Sequence, residues 1–244
     1  MSDLTPSTAR EPAADAARRA AAHVIVADLD HPELDPEDRH HLEGVLRVRP
    51  GEAVSLTDGR GGWRLGRLER TGELLTEGDP VRQPRPVPAI TVGLALVKGD
   101  RPEWAVQKLT ELGVDRIVLL HTARTVVRWD ARRVDRHIDR LQTVARQAVM
   151  QSRGWWVPEV VGVEPVDALI SGTGVAIAAP GGDPPSLEFP TVLVGPEGGW
   201  SPAEEQSAPA AVALGSGILR TETAAVAAGV LLAALRAGLA QQAP

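Results

Sequence analysis

Two short apolar runs near the carboxyl end, each broken by glycine, constrain this chain more than any other feature. They are Val192-Leu-Val-Gly-Pro-Glu-Gly-Gly-Trp200 and Val212-Ala-Leu-Gly-Ser-Gly-Ile-Leu-Arg-Thr-Glu-Thr223. Each begins as a buried strand bounded by glycine. Each then enters backbone that glycine tolerates best, and each is followed by a helix start. Two such strand ends side by side make a crevice at the carboxyl edge of a sheet, where open α/β folds hold ligands.

The stretch before them repeats the same grammar. Ile90-Thr-Val-Gly-Leu-Ala-Leu-Val97 is nearly all apolar, as a strand buried on both faces must be. Asp100 is placed to cap the next helix, with Pro102 in its first turn and Glu103 three residues on. Ala105, Leu109 and Leu112 form its apolar stripe, Gly113 ends it, and Ile117–Leu120 is the following strand. This β-α-β order implies a parallel sheet with right-handed crossovers. Lys108 and Glu111, three apart, are read as partners of each other before they are read as substrate contacts. A helix over Arg132–Gln147 buries Val134, Ile138, Leu141, Ala145 and Ala148 and turns Arg132, Arg133, Arg136 and Arg140 outward. Val175–Ala179 is a strand ending at Pro180-Gly-Gly182. Ser201 and Glu204 form a capping box, and a last helix over Thr223–Leu239 is almost wholly apolar.

The front of the chain reads differently. Residues 1–22 are Ala, Arg, Asp, Glu, Pro, Ser and Thr without an apolar face and are expected to be disordered, with at most a fraying helix over Ala13–Ala22. His23–Ala27, Val54–Thr57, Trp63–Leu68 and Leu74–Thr76 are short strands. Asp35 caps a helix over Pro36–Arg47, and Asp58-Gly-Arg-Gly-Gly62 is a turn. Strands and turns at this spacing predict a small β-barrel over residues 23–83. Gln83-Pro-Arg-Pro-Val-Pro88 is a semi-rigid linker, which sets a linker at 84–89 and a second domain over 90–244. His40-His41 has no partner at the spacing a metal needs, so no metal site is expected.

Composition narrows the setting. The chain has no cysteine, which excludes disulfides and thiolate-bound metals and fits a reducing, cytoplasmic compartment. No apolar run is long enough to span a bilayer, and no signal peptide is read. The net charge is −6, but Arg116–Arg153 holds nine arginines and three aspartates, a local +6, while Gly154 onward holds two arginines and nine acids, a local −7. Such a basic band suits phosphate or is a solvated helix face; the charge leaves both open. The same holds for Arg47, Arg49, Arg60, Arg64 and Arg67 in the front domain.

Gly195-Pro-Glu-Gly-Gly199 and Leu219-Arg-Thr-Glu-Thr-Ala224, about twenty residues apart and in this order, resemble the carboxyl-terminal signature of the SPOUT class of RNA methyltransferases. Within that class the chain looks most like the bacterial 16S ribosomal RNA uridine-N3 methyltransferases. His40-His-Leu-Glu-Gly-Val-Leu-Arg-Val-Arg49 resembles the PUA-like RNA-binding domain at the front of that family. Lys98, Gln107-Lys108 and Glu111-Leu-Gly-Val114 also match its pattern, and Gln151-Ser-Arg-Gly154 matches loosely. One departure stands out. The family commonly has Gly-Pro-Arg where this chain has Gly215-Ser216-Gly217, so one cation near the cofactor is missing.

The resemblance implies a PUA-like β-barrel followed by a SPOUT α/β domain with a mostly parallel sheet and a carboxyl-terminal trefoil knot. It implies a homodimer through the last helix, 16S rRNA or the 30S subunit as partner, and S-adenosylmethionine as cofactor. Cofactor contacts would fall to Gly195, Glu197, Gly198, Gly199, Leu214, Gly215, Gly217, Ile218, Leu219 and Thr223. Arg153, Arg220 and Glu222 are the catalytic candidates. Arg47, Arg49, Arg64, Lys98, Arg124, Arg128 and Arg153 are the RNA-contact candidates. With no tyrosine and one phenylalanine, base stacking would fall to Trp155, Trp156 or Trp200, unless these are core. A sibling enzyme acting on ribose 2′-hydroxyls of rRNA or tRNA, or an RNA-binding module that kept the cofactor fold with little turnover, remain the alternatives.

Overall fold

The structure, a computed structural model, describes residues 10–241 except 131 and 133. The chain divides into two compact units, Met1–Pro84 with Val149–Trp156, and Arg85–Ala148 with Val157–Pro244. The division between Pro84 and Arg85 falls within the proline-rich stretch. The membership of Val149–Trp156 in the first unit has no marker in the sequence.

The first unit carries helix α1 (Arg10–Arg19) where the sequence reading expects disorder with at most a fraying helix over Ala13–Ala22. Four alanines in ten residues favour helix, and Ala17, fully buried in it, and Ala20 just beyond give it the narrow apolar edge that the composition hid. The expected disorder is therefore corrected for residues 10–22, and residues 1–9 lie outside the described part. Strands β1 (Ala22–Ile25), β2 (Ala53–Thr57), β3 (Gly62–Leu68) and β4 (Leu74–Arg82) form one sheet in that order. β1 and β2 are parallel, joined through α2 (Pro36–His40) and a wider helical turn at His41–Val45. Asp35 accepts from the Asp38 N–H at 2.7 Å and caps α2 as the sequence implied. The other pairs are antiparallel. No ladder joins β4 back to β1 among the described residues, so the sheet is open where a barrel was expected. β4 is an edge, largely exposed and carrying Glu77, Asp79 and Pro80, which discourage further pairing. The core beneath holds Val24, Leu42, Val54, Leu56 and Leu68.

An aromatic cluster joins β1 and β3 to the segment Val149–Trp156. Trp155 stacks on Trp63 at 4.9 Å and meets His23 edge-on at 5.2 Å. His23 is 4% exposed; its Nε2 lies 2.8 Å from the Gly154 carbonyl and its Nδ1 2.6 Å from Ser55 Oγ. A carbonyl only accepts, so Nε2 carries the proton and Nδ1 accepts from the serine, which is the neutral ring. Burial pushes the pKa down to about 4; the bond to Gly154 opposes this and the Arg153 charge adds to it.

The second unit is a six-stranded, wholly parallel sheet in the order β10-β8-β9-β5-β6-β7. The strands are β5 (Thr91–Ala95), β6 (Arg116–His121), β7 (Glu159–Pro165), β8 (Val175–Asp183), β9 (Thr191–Val194) and β10 (Ala211–Val212). The helices are α3 (Arg101–Glu111), α4 (Val134–Ser152), α5 (Pro202–Ser207) and α6 (Thr221–Arg236). The last turn of α4, from Val149, belongs to the first unit. The all-apolar strands divide their side chains between two cores. Val92, Leu94, Ile117, Leu119, Val192 and Val194 share one core with α3, α4 and α6. Val118, Leu120, Val175, Ile177, Leu193 and Trp200 share the other. Two buried faces are why these strands show no polar alternation.

Ala105 and Leu109 of α3 and Leu141, Ala145 and Ala148 of α4 are buried as their spacing predicted. Asp100 precedes α3 but makes no side-chain cap bond, because its backbone (φ −89°, ψ 3°) departs from the extended geometry of a capping residue. Lys108 and Glu111 do pair, at 2.9 Å. α6 lies against α3, where a Cβ on Gly229 would come within 2.7 Å of Leu109 Cδ2, so the close approach requires glycine. At its far end Arg236 is half-buried, its side chain 9% exposed, bonding to Asp115 and to the carbonyls of Pro88 at 3.2 Å and Gly113 at 2.6 Å. Asp115 also accepts from the Ile90 N–H at 2.8 Å. One ion pair thus ties the end of α6 to the starts of β5 and β6.

Since the His23 pKa is lower in the folded chain than its ordinary 6.5, the unfolded chain takes up that proton first. The stability this site contributes is full above pH 6.5 and is lost as pH falls toward about 4, by about 3 kcal/mol at most. Denaturant unfolding followed by tryptophan fluorescence should show that acid slope in the natural chain and a flatter one in His23→Gln. An equal slope in both would remove His23 as its cause.

Candidate functional site

The strand β9 ends at Val194 and hands the chain to the loop 195–200. Three features hold that loop. Trp200 is buried, with Nε1 donating to the Ala178 carbonyl at 3.0 Å. A Cβ at Gly195 would sit 3.0 Å from the Trp200 ring, so glycine lets the loop close over it without displacing the indole. Gly199 has φ +71°, a conformation natural to glycine, and its N–H reaches the Pro196 carbonyl at 2.8 Å. The predicted capping box on α5 is present, with Ser201 and Glu204 each accepting from the other's backbone.

Glu204 does more than cap. It is 4% exposed and also accepts from the Ala123 N–H at 2.8 Å, tying α5 to the loop after β6. Burial alone would raise its pKa, but the N–H groups of Ala123 and Ser201, the Ser201 hydroxyl and the Arg124 charge outweigh burial and hold it below the usual value. The carboxylate is ionised and serves structure.

The second glycine stretch follows β10 and runs into α6. There Thr221, 3% exposed, donates from Oγ1 to the Gly195 carbonyl at 3.0 Å. That bond joins the two loops. Between them opens a cleft of about 400 Å³, lined by Ala178–Pro180 within β8, by Val194–Glu197, Gly199 and Trp200 at and after the end of β9, and by Leu214, Gly215 and Gly217–Thr221 after β10, with Glu205 and Ala224. Its walls are mostly apolar and its rim is backbone. Arg101, in the first turn of α3, braces one side; its Nη1 is 3.1 Å from Glu197 Oε1 and 3.7 Å from Glu222 Oε2.

Of the cofactor candidates, Gly195, Glu197, Gly199, Leu214, Gly215, Gly217, Ile218 and Leu219 all line this cleft. Gly198 stands behind it, its carbonyl accepting from Arg124 Nη1 at 2.9 Å, and Thr223 points to solvent. Of the catalytic candidates only Arg220 lines the cleft, exposed and without an ion pair among the described residues. Glu222 is buried beside Arg101, and Arg153 belongs to the first unit, where its side chain reaches the Ala17 carbonyl at 3.4 Å.

Among the RNA candidates, Arg47, Arg49, Lys98, Arg124 and Arg128 are exposed. Arg64 is not. It is buried and bonded to the Leu29 carbonyl at 2.9 Å, to Asp30 at 3.1 Å and to the Gly78 carbonyl, so its guanidinium staples loops and has no face for a phosphate. Of the three tryptophans left open between base stacking and core, Trp155 packs on Trp63 and Trp200 lies under the loop. The sequence reading missed Arg101, Thr221 and Ala178–Pro180. Pro180-Gly-Gly182, read as the end of a strand, lies inside β8, which runs on to Asp183, and nothing local marked Arg101.

The chain was compared with known proteins. The RNA methyltransferase domain family matches residues 83–233, and the RNA methyltransferase PUA domain family matches residues 34–74. A Mycobacterium bovis protein named ribosomal RNA small subunit methyltransferase E is 34% identical over 219 residues, covering 80% of this chain and 83% of its own length. A Bacillus subtilis protein of the same name is 28% identical, covering 77% and 84%. Among solved structures, ribosomal RNA small subunit methyltransferase E from Neisseria gonorrhoeae, bound to S-adenosylmethionine, matches with a TM-score of 0.71 at 27% identity, covering 88% of this chain and 97% of its own. A methyltransferase from Legionella pneumophila with the same cofactor bound matches with a TM-score of 0.74 at 26% identity, covering 87% and 96%.

The bond between the loops makes a direct test. Thr221→Val keeps shape but leaves the Gly195 carbonyl without its donor, at a cost of about 1–3 kcal/mol. Thr221→Ser should retain most of the stability. Denaturant midpoints measure both, and a valine variant as stable as the natural chain would show that the bond carries no weight.

Proposed function

This chain belongs to the RNA methyltransferase family, and from that premise we propose that it transfers the methyl group of S-adenosylmethionine to N3 of a uridine in the 16S rRNA of the small ribosomal subunit. The observation that carries the reading is the single cleft formed where the two glycine loops meet. Relatives named for small-subunit rRNA methylation, and solved relatives holding the cofactor, support it.

The residues present suit that cofactor. A cleft of about 400 Å³ is in the range of small-molecule sites. Ala178, Val194, Leu214 and Leu219 offer a purine an apolar wall. Gly215 and Gly217 face open space, so their backbone groups are free to meet adenine and ribose edges. Glu197, held by Arg101, is the carboxylate for ribose hydroxyls. When bound, the cofactor supplies a methyl group already activated on a positively charged sulfur.

What the chain must add is alignment and charge. Holding the nucleophile in line with the methyl is worth about 7–11 kcal/mol of barrier. The uracil N3–H loses its proton to water as N3 gains the methyl, and negative charge collects on the flanking carbonyl oxygens. Arg220, unpaired at the rim, is the cation that holds that charge. It takes on the task that the missing cation at Ser216-Gly217 would have shared. Glu222 is a positioning residue that anchors Arg101 at the first turn of α6. Arg47 and Arg49 in the PUA domain, and Lys98, Arg124 and Arg128 in the second unit, contact RNA phosphates; Arg153 contacts RNA from the first unit.

The same reading includes a knotted carboxyl terminus, a homodimer and a cytoplasmic location. After the edge strand β10 the chain returns to the middle of the sheet, where α6 packs on β5 and β9, as a threaded segment must. On α6, Val230 is 43% exposed and Leu231 half-buried, an apolar strip suited to a second copy. Among the described residues no helix is long and apolar enough to cross a membrane.

Calorimetry should show one S-adenosylmethionine site per chain. Nucleoside analysis after incubation with 30S particles should show 3-methyluridine. Arg220→Ala should lower kcat by about 10²–10³-fold while cofactor affinity stays near that of the natural chain. Methylated ribose in place of methylated base would overturn the target assignment. For the homodimer, sedimentation should give twice the 25.8 kDa chain mass, and Val230→Asp should shift it toward monomer; a natural chain sedimenting as monomer would refute it.

A further inference from the structure

We propose that a second pocket, at the carboxyl ends of β5, β6 and β7, receives a nucleotide of the RNA substrate other than the one methylated, with its base on Trp129 and its phosphate on Arg128. The inference rests on RNA as the substrate in the reading above. The pocket is about 280 Å³ and is lined by Leu96, His121, Arg128, Trp129, Val134 and Val163. None of these residues lines the cleft between the glycine loops. Its place is the carboxyl edge of a parallel sheet, the edge at which such folds take ligands.

Three observations point to a nucleotide. First, Trp129 is half-buried and its indole is backed by His137, with rings 4.5 Å apart at 23°. His137 is not among the residues lining the pocket, so it stiffens the indole without filling the space. A rigid flat ring beside an apolar floor of Leu96, Val134 and Val163 is what an unstacked base needs. Second, Arg128 is exposed and has no hydrogen bond or ion pair among the described residues, and His121 offers a second polar atom at the rim. Third, among the described residues no carboxylate lines the pocket. The neighbouring hollow on the other side of Trp129 is the reverse case. It contains Asp100 and Glu103, and its arginine, Arg140, is already paired with Glu103 at 3.0 Å. Phosphate is welcome in one and opposed in the other. Arg132 and Arg136, exposed on the residues that follow, continue the positive surface for adjoining phosphates. A peptide partner would find no donor–acceptor pattern here, while a base with its phosphate finds both of its requirements in neighbouring residues.

The test uses the full chain with 16S rRNA and S-adenosylmethionine. Trp129→Ala and Arg128→Glu should each raise KM for RNA about tenfold, as loss of one stacked base or one phosphate contact implies. The effect should fall on KM more than on kcat, cofactor affinity by calorimetry should stay within about twofold, and Trp129→Phe should recover most of the loss. Arg128→Gln should reduce the salt slope of RNA binding by about one. RNA carrying 4-thiouridine should crosslink to a peptide containing Trp129. Unchanged KM in both variants, crosslinks only elsewhere, or a parallel loss of cofactor affinity would each overturn the site. A natural chain that methylates while the variants match it overturns this site alone; a natural chain that binds no RNA overturns the proposed function and this site with it.

Discussion

One hydroxyl holds the site together. The Gly195 carbonyl stands at the end of β9, past the last ladder bond, in a place where an unpaired acceptor is costly. Thr221, the first residue of α6, supplies the donor at 3.0 Å. That contact, between residues 26 apart in the chain, brings the two loops into one cleft. Behind it the same helix is pressed against α3 at Gly229 and tethered at its far end by Arg236 to Asp115. The loops are mobile elements by composition, but the helix that clamps them is anchored at both ends in a two-faced core. Arg101 adds a brace between Glu197 and Glu222, so each wall of the cleft is referred to a rigid element.

Charge in this chain is sorted by burial rather than by total. A net charge of −6 says little about partners when several arginines are spent internally. Arg64 is a buried structural donor and Arg236 a half-buried one, while Arg140 and Arg101 are paired with carboxylates. Those left without ion pairs among the described residues include Lys98, Arg128 and Arg220, and they stand at the carboxyl edge of the parallel sheet or at the rim of the cleft. The positive groups available to an anionic ligand are therefore few, and they are located where the fold opens.

The first unit depends on a segment distant in sequence. Val149–Trp156 supplies Trp155 to Trp63 and the Gly154 carbonyl to His23. A histidine kept neutral by burial and a stacked tryptophan pair are features of a packed interior. They explain why a stretch that looked like a candidate for stacking on bases is instead occupied. They also account for α1, whose small buried residues complete the cover over β2.

Much of this was legible in residue order. The all-apolar runs at Ile90–Val97, Ile117–Leu120 and Val192–Val194 announced a sheet buried on both faces, because no polar alternation survives there. The two glycine-broken strand ends announced the cleft, because glycine spacing is a local property of backbone. The Ser201–Glu204 box and the Lys108–Glu111 pair were equally local. What the order of residues could not determine was which polar groups become partners across the fold. Arg64 and Arg128 look alike in sequence, yet one is enclosed by Leu29, Asp30 and Gly78 while the other meets solvent. Arg101, Thr221 and the Val149–Trp156 return are decided by contacts between segments tens of residues apart. Such contacts depend on packing geometry, which only the tertiary structure specifies.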